Sequence, residues 1–382
     1  MRVLISCGEP SGDLYAGALA REILSLDPAA VVSGFGSERL RAGGASLVAD
    51  FKGLSVTGLL EVARVLPRTY AVYRQLVAHA TATRPDVFVA VDFPDFNFRL
   101  AHAMRRLGVP VVYYISPQLW AWRPGRMKTM QRIADRVLVI FPFEEEIYRR
   151  AGVAVEWVGH PLLDVSPVPQ PRDTFLTSLQ LDPSRPMIAL LPGSRINEVR
   201  AILPGLHEAT KIIHARLPSA QFVLARAPHL PDDLFAGVGG GEPQIVMVDQ
   251  ATDDVLASAN VALVASGTVT VQAAIRECPM VVVYRLSPLT YRLGRRFVHV
   301  NTFAMANLVA GRQVVPELEQ DDFTPDAVAN HAISLLQDPS RAAAMRAELR
   351  SVRDRLGPPG ASRRAAEAVL AVASRNEPRR LG

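Results

Sequence analysis

The chain has 382 residues, 49% of them hydrophobic, and carries 42 Lys and Arg against 37 Asp and Glu, for a formal charge of +5. That length suits two domains with a core each, and no run of 18 uncharged apolar residues is present to span a bilayer. Two cysteines, Cys7 and Cys278, exclude a disulfide framework; both adjoin apolar runs and read as buried thiols.

No Cys/His spacing resembles a zinc site. The positive charge is borne by arginine and admits nucleotides, lipid headgroups or nucleic acid without selecting among them. The start of the chain lacks a basic-then-apolar leader, so a cytoplasmic location is the expectation.

MRVLIS reads as a buried first strand running into CGEPSGD, residues 7 to 13. A glycine-rich turn after a strand usually holds phosphate, but Glu9 and Asp13 would repel one. Carboxylates and the Ser11 hydroxyl suit sugar hydroxyls better. For Asp13 the plainer account is an acid in the first turn of a helix, favoured by its dipole. LYAGALAREILSL then reads as an amphipathic helix and VVSGF as a second strand.

GLLEVARVLPRTYAVYRQLV, residues 58 to 77, mixes Leu59, Leu60, Val62, Val65 and Leu66 with Arg64, Arg68 and Arg74. A basic, apolar helix suits an anionic bilayer surface; a core-facing helix with outward arginines is the alternative. Pro67 is expected to kink or break it.

DVFVAV is a strongly apolar strand ending in AVDFPDFN, which puts Asp92 where such a sheet delivers side chains to a ligand. A carboxylate there can take the proton of an attacking sugar hydroxyl. Asp95, two residues ahead of the next helix, reads as a cap. VPVVYYI leads to ISPQLWAWRPGR, where Trp120 and Trp122 either stack on sugar rings or pack internally. RVLVIF follows, and then DVSPVPQPR, residues 164 to 172, whose three prolines suit a linker.

A second alternating series comprises MIALL, AQFVLA, QIVMV, VALVA and MVVVY. MIALL ends in LLPGSRINEV, a turn in which Ser194 and Arg195 open a helix and can clamp phosphate oxygens. An N-cap serine beside a surface arginine is the other account. VASGTVTVQAA repeats the arrangement with Ser266, Gly267 and Thr268. Two such helix starts in one half point to a diphosphate. From Pro325 the chain is helical and arginine-rich.

The fold class is therefore α/β: two Rossmann-like halves, with ligands expected in a cleft between them. The expected division is residues 1–167, residues 168–340, and a helical tail, 341–382, that crosses back to the first half or exchanges with a second copy. No D-x-D pair is present, so no metal cofactor is expected, and arginine with helix starts would stabilise a leaving diphosphate.

GEPSGD, KGLSVTGLLEV, PDVFVAVDFPDFN, YYISPQLWAWRPGR, FPFE, VGHPLLD, LLPGSRINEV, ASGTVTVQAA, PMVVVYR and NLVAGRQVVPEL, taken in order, make the sequence resemble bacterial lipid-A-disaccharide synthase. That family has the two-domain GT-B glycosyltransferase fold. The resemblance implies inverting transfer from UDP-2,3-diacylglucosamine to the 6-hydroxyl of 2,3-diacylglucosamine 1-phosphate, giving a β-1,6-linked disaccharide phosphate and UDP.

It also implies Asp92 as base, Arg195 at the diphosphate, and Asn307 and Glu317 in the donor segment. Glu9, Ser11, Asp13 and Trp120 would line the acceptor side. The segment from Gly58, including Arg68, would touch the inner face of the cytoplasmic membrane. Nucleic acid is not an expected partner, and pairing with a second copy stays open. Pro10 and Ala306 depart from the family's usual residues. The rival readings are another GT-B enzyme, an epimerase or a polyprenyl-acceptor transferase, or a membrane-surface binding protein without turnover.

Overall fold

The computed structural model describes every residue except 53–58, 120–123, 228, 239, 286–301 and 376–382; at 59–65 and 124 it describes the backbone alone. The chain divides into two compact units, Met1–Val165 with Leu356–Gly382, and Ser166–Arg355.

The first unit is built on a parallel seven-stranded sheet in the order β3-β2-β1-β4-β5-β6-β7. Its strands are β1 (Arg2–Ser6), β2 (Val31–Gly36), β3 (Ser46–Asp50), β4 (Val87–Val91), β5 (Val111–Tyr114), β6 (Arg136–Val139) and β7 (Val155–Trp157). Every residue of β4 is buried, because helices cover both faces of a parallel sheet and leave no wet side. Each fully buried valine there contributes roughly 1.5–3 kcal/mol relative to exposure.

The strand order runs outward one way from β1 and the other way from β4. These two neighbours therefore flank the switch point where such sheets bind ligands.

The second unit has a parallel six-stranded sheet in the order β10-β9-β8-β11-β12-β13. Its strands are β8 (Met187–Leu191), β9 (Gln221–Arg226), β10 (Ile245–Asp249), β11 (Val261–Ala265), β12 (Met280–Tyr284) and β13 (Glu317–Glu319). Its switch point lies between β8 and β11.

The tail is shared differently from the expected division at residue 341. Helix Pro339–Arg355 belongs to the second unit, where Arg350 and Arg353 both pair with Glu277. From Leu356 the chain returns to the first unit. Asp164 accepts the amides of Gly360 and Ser362 at 2.5 and 2.7 Å, and helix Ala361–Ser374 packs on helix Pro10–Leu26.

Both cysteines are free and buried. Pro67 does not end its helix, which runs Leu59–Thr83.

Candidate functional site: two sheet switch points

In the first unit, Asp92 and Phe93 follow β4 with φ of 45° and 49°, two successive non-glycine residues in the left-handed region. Such conformations cost on the order of 1 kcal/mol each and persist only where the surroundings impose them. Here Asn97, wholly buried, donates its amide to the Asp92 carbonyl at 2.8 Å and to those of Val91 and Ser6 at 3.2 Å. Tyr113 donates its hydroxyl to the same Asp92 carbonyl at 2.8 Å. The backbone of the turn is thus pinned, and the Asp92 side chain stands half-buried at the end of the sheet.

The charge of Asp92 reaches its surroundings. Burial first, and then that carboxylate, push the phenols of Tyr15 and Tyr113 well up. Asp95 does not cap the helix Pro94–Arg106; it lies in the first turn, exposed, and pairs with Arg126 at 2.7 Å.

The turn after β1 adjoins this one. Glu9 occupies the N-cap position of helix Pro10–Leu26 without a side-chain capping bond, and Pro10 starts the helix at a position where its missing N–H costs nothing. Glu9 and Ser11 are half-buried.

Asp13 differs from its predicted role at a sugar. It is 3% exposed, and its carboxylate accepts the amides of Ser37, Arg39 and Leu40 at 2.6, 2.9 and 3.2 Å. It fastens the start of helix Glu38–Ala42 to helix Pro10–Leu26. Trp120, Trp122 and Gly58 lie outside the described residues.

In the second unit the turn after β8 carries Gly193 at φ 121°, and a Cβ there would meet Glu198 Oε2 at 2.8 Å. Glu198 folds back beneath the turn and accepts the Ser194 and Arg195 amides at 3.3 Å each and the Arg195 guanidinium at 3.1 Å. The amides expected to hold phosphate therefore hold the protein's own carboxylate. The contacts are long and solvent-exposed, as an exchangeable capping box would be.

After β11, Gly267 adopts φ 151° and ψ −158°, a region open only to glycine, and a Cβ there would meet nothing within 4 Å. Backbone is therefore bared to an approaching ligand. Ser266 neither caps this helix nor presents its proton to a ligand, because its hydroxyl donates to the Phe303 carbonyl at 2.9 Å. Thr268 is exposed at the first helical position.

The same unit holds an open cavity of ≈ 850 Å³ lined by Thr302, Asn307, Arg312, Glu317, Glu319 and Gln320 among others. Asn307 was expected in the donor segment. Its side chain is wholly buried: the oxygen accepts Val314 and Val315 amides at 2.7 and 2.9 Å, and the nitrogen donates to Val315 O and Glu317. It shapes the site by positioning Glu317, which also accepts the Thr302 hydroxyl and the Phe303 amide.

The cavity and the Arg195 turn both reach one residue electrostatically. Tyr284, at the end of β12, is pushed up by burial and then by Glu198, with Arg195 opposing and Glu319 adding to it. Sequence reasoning missed Asn97, Tyr113 and Glu319. Asn97 stood in plain view in DFPDFN, but nothing local showed which carbonyls it would meet.

In helix Leu59–Thr83, Leu66 and Tyr70 are 53% and 63% exposed, and Arg68 donates to the Lys52 carbonyl at 2.9 Å. The side chains of Leu59, Leu60, Val62 and Val65 lie outside what is described. Among the described residues no helix is long and apolar enough to cross a membrane.

Solved structures with this fold include a UDP-GlcNAc 2-epimerase from Neisseria meningitidis bound to UDP-GlcNAc (TM-score 0.68, 14% identity, 97% of this chain and 100% of that one). Another is CalG4, the calicheamicin glycosyltransferase (TM-score 0.64, 17% identity, 98% of each chain). At such identities the likeness establishes the fold, GT-B.

Curated relatives are much nearer. A lipid-A-disaccharide synthase of Koribacter versatilis is 44% identical over 99% of this chain and 100% of its own length. One of Geobacter sulfurreducens is 41% identical over 97% and 96%. The lipid-A-disaccharide synthetase family matches residues 3–372, and with relatives of that identity along its whole length the chain belongs to that family.

Proposed function

We propose that the chain transfers 2,3-diacylglucosamine from its UDP-activated form to the 6-hydroxyl of 2,3-diacylglucosamine 1-phosphate, releasing UDP. The side chain of Asp92 takes the acceptor proton while O6 forms its bond to the donor C1. The bond from C1 to the UDP oxygen breaks on the opposite face, so the configuration inverts to β. Charge accumulates on the leaving diphosphate. Arg195 and the bared backbone at Gly267 meet it, and Glu317 holds the nucleoside portion.

The observation that carries the assignment of the base is the pinned left-handed turn at Asp92, beside the switch point of its sheet. A strained backbone with this much dedicated support is where side-chain placement matters most. The reaction needs no metal in this scheme, because the charge is taken up by arginine and backbone. Glu9 and Ser11 face the acceptor sugar. The exposed Leu66 and Tyr70, with the basic residues of their helix, rest on an anionic bilayer from which the acylated substrates come. An epimerase reading has only a fold likeness at 14% identity to support it.

Incubation with UDP-diacylglucosamine and diacylglucosamine 1-phosphate, in the presence of a chelator, tests the reading. Mass spectrometry should find the disaccharide phosphate and stoichiometric UDP. Product that appears only after magnesium is restored would remove the metal-free scheme, and UDP release without disaccharide would remove the acceptor assignment.

A further inference from the structure

The cavity in the second unit has a charge problem. Among the described residues that line it, four are carboxylates, Glu317, Glu319, Asp321 and Asp322, against a single guanidinium, Arg312. That guanidinium already pairs with Glu348 at 2.5 Å. The nearby Arg285 turns its cation to the Gln320 and Phe323 carbonyls and stacks over the Phe323 ring. A wall of this sign repels a nucleoside diphosphate.

The four acids are not equivalent. Asp321 and Asp322 are exposed. Glu317 receives three donors, Thr302, Phe303 and Asn307. Glu319 is half-buried, and among the described residues its carboxylate makes no hydrogen bond or ion pair. Alternation along β13 sends Leu318 into the core and puts Glu317 and Glu319 on one face, two residues apart. Across the sheet Glu319 is in register with Tyr284, a half-buried phenol that brings no positive charge.

We propose that Glu319 enters nucleotide binding as the neutral acid, and that loss of its proton expels the nucleoside diphosphate from this cavity. The proposal rests on the reading of the cavity as the donor site. Burial, then the charges of Glu317 and Asp322, push the Glu319 carboxyl up to about 7, so the switch falls at neutral pH. A protonated Glu319 also supplies a donor that an ionised one lacks, aimed into a cavity otherwise rich in acceptors.

Titration calorimetry of UDP with the full chain, from pH 5.5 to 8.5, tests this on the wild type and on Glu319→Gln. The amide keeps the shape and a donor but cannot ionise. The ionisation of UDP itself is common to both proteins, so the ratio of their dissociation constants isolates Glu319. If only the neutral form binds, that ratio climbs about 30-fold by pH 8.5.

Asp322→Asn removes one of the like charges and should move the midpoint to lower pH, with no change at Glu319 itself. A ratio that stays constant across the range overturns the proposal and leaves the donor-site reading standing. UDP failing to bind either protein at any pH overturns that reading, and this inference with it.

Discussion

A methyl group on Gly8 would lie 2.4 Å from Cδ1 of Phe93, so the turn after β1 and the turn after β4 are packed ring against backbone. Glycine at this position is a matter of room. Gly8→Ala would push Phe93 aside, and with it the adjoining Asp92. A displacement near 1 Å of a reacting group costs about 10²-fold in turnover. Overpacking would cost roughly 1–3 kcal/mol of stability. Steady-state kinetics beside thermal melting would check both, and an alanine variant with wild-type turnover would show that the two turns are not coupled.

Asp92→Asn separates chemistry from binding. Asparagine tolerates the left-handed conformation and preserves shape, so the turn stays intact while the proton acceptor is lost. Turnover should drop about 10²–10⁴-fold, with UDP affinity unchanged by calorimetry. A variant retaining near-normal kcat would require another base.

Asp13 and Glu9 share a turn and have opposite fates, which makes them a useful pair. Asp13→Ala strands three amides that its carboxylate now satisfies, at a cost of about 1–3 kcal/mol for each that stays buried without water. Glu9→Gln should leave stability within about 0.5 kcal/mol and raise KM for the acceptor. Denaturant melts of the two variants check the contrast; a stable Asp13→Ala would mean that water replaces the carboxylate.

Asn307→Ala removes the group that ties Val314 and Val315 to Glu317. It should weaken UDP binding by at least 10-fold, on the scale of about 1.4 kcal/mol, while kcat at saturation changes far less. Equal loss in kcat and in affinity would argue for a direct role in the transition state.

His160 gives the fold an acid-sensitive spot. Burial among Tyr15 and Phe141 depresses its imidazole to about 3, and its Nδ1 accepts the Leu162 amide at 3.2 Å. The unfolded chain, with histidine near 6.5, therefore binds a proton that the folded one refuses. Stability is full above pH 6.5 and is lost as pH falls toward 3, by about 1.4 kcal/mol per unit. Urea midpoints at pH 7, 6 and 5 should fall steadily in the wild type and less steeply in His160→Gln. Parallel slopes would show that other groups govern the loss.

The sequence determined the two-sheet plan and the ends of its central strands, because strands buried on both faces must be written as unbroken apolar runs such as VFVAV and VALVA. The positions of Asp92, Arg195 and Gly267 at strand ends were legible for the same reason, Asp92 directly after such a run and the other two in the turn that follows one. Edge strands β3, β7 and β13 were not, since short, half-exposed segments such as VEW and ELE carry no such signature.

Tertiary structure alone decided what the carboxylates do. Asp13 met amides 24 to 27 residues away and became a fastening, Glu198 folded onto the turn that was expected to hold phosphate, and Glu319 was left in a half-buried wall without a donor. A chain's pattern fixes which residues leave water. The charge state and partners of a polar group depend on atoms brought to it from elsewhere in the fold, and sequence spacing does not encode those distances.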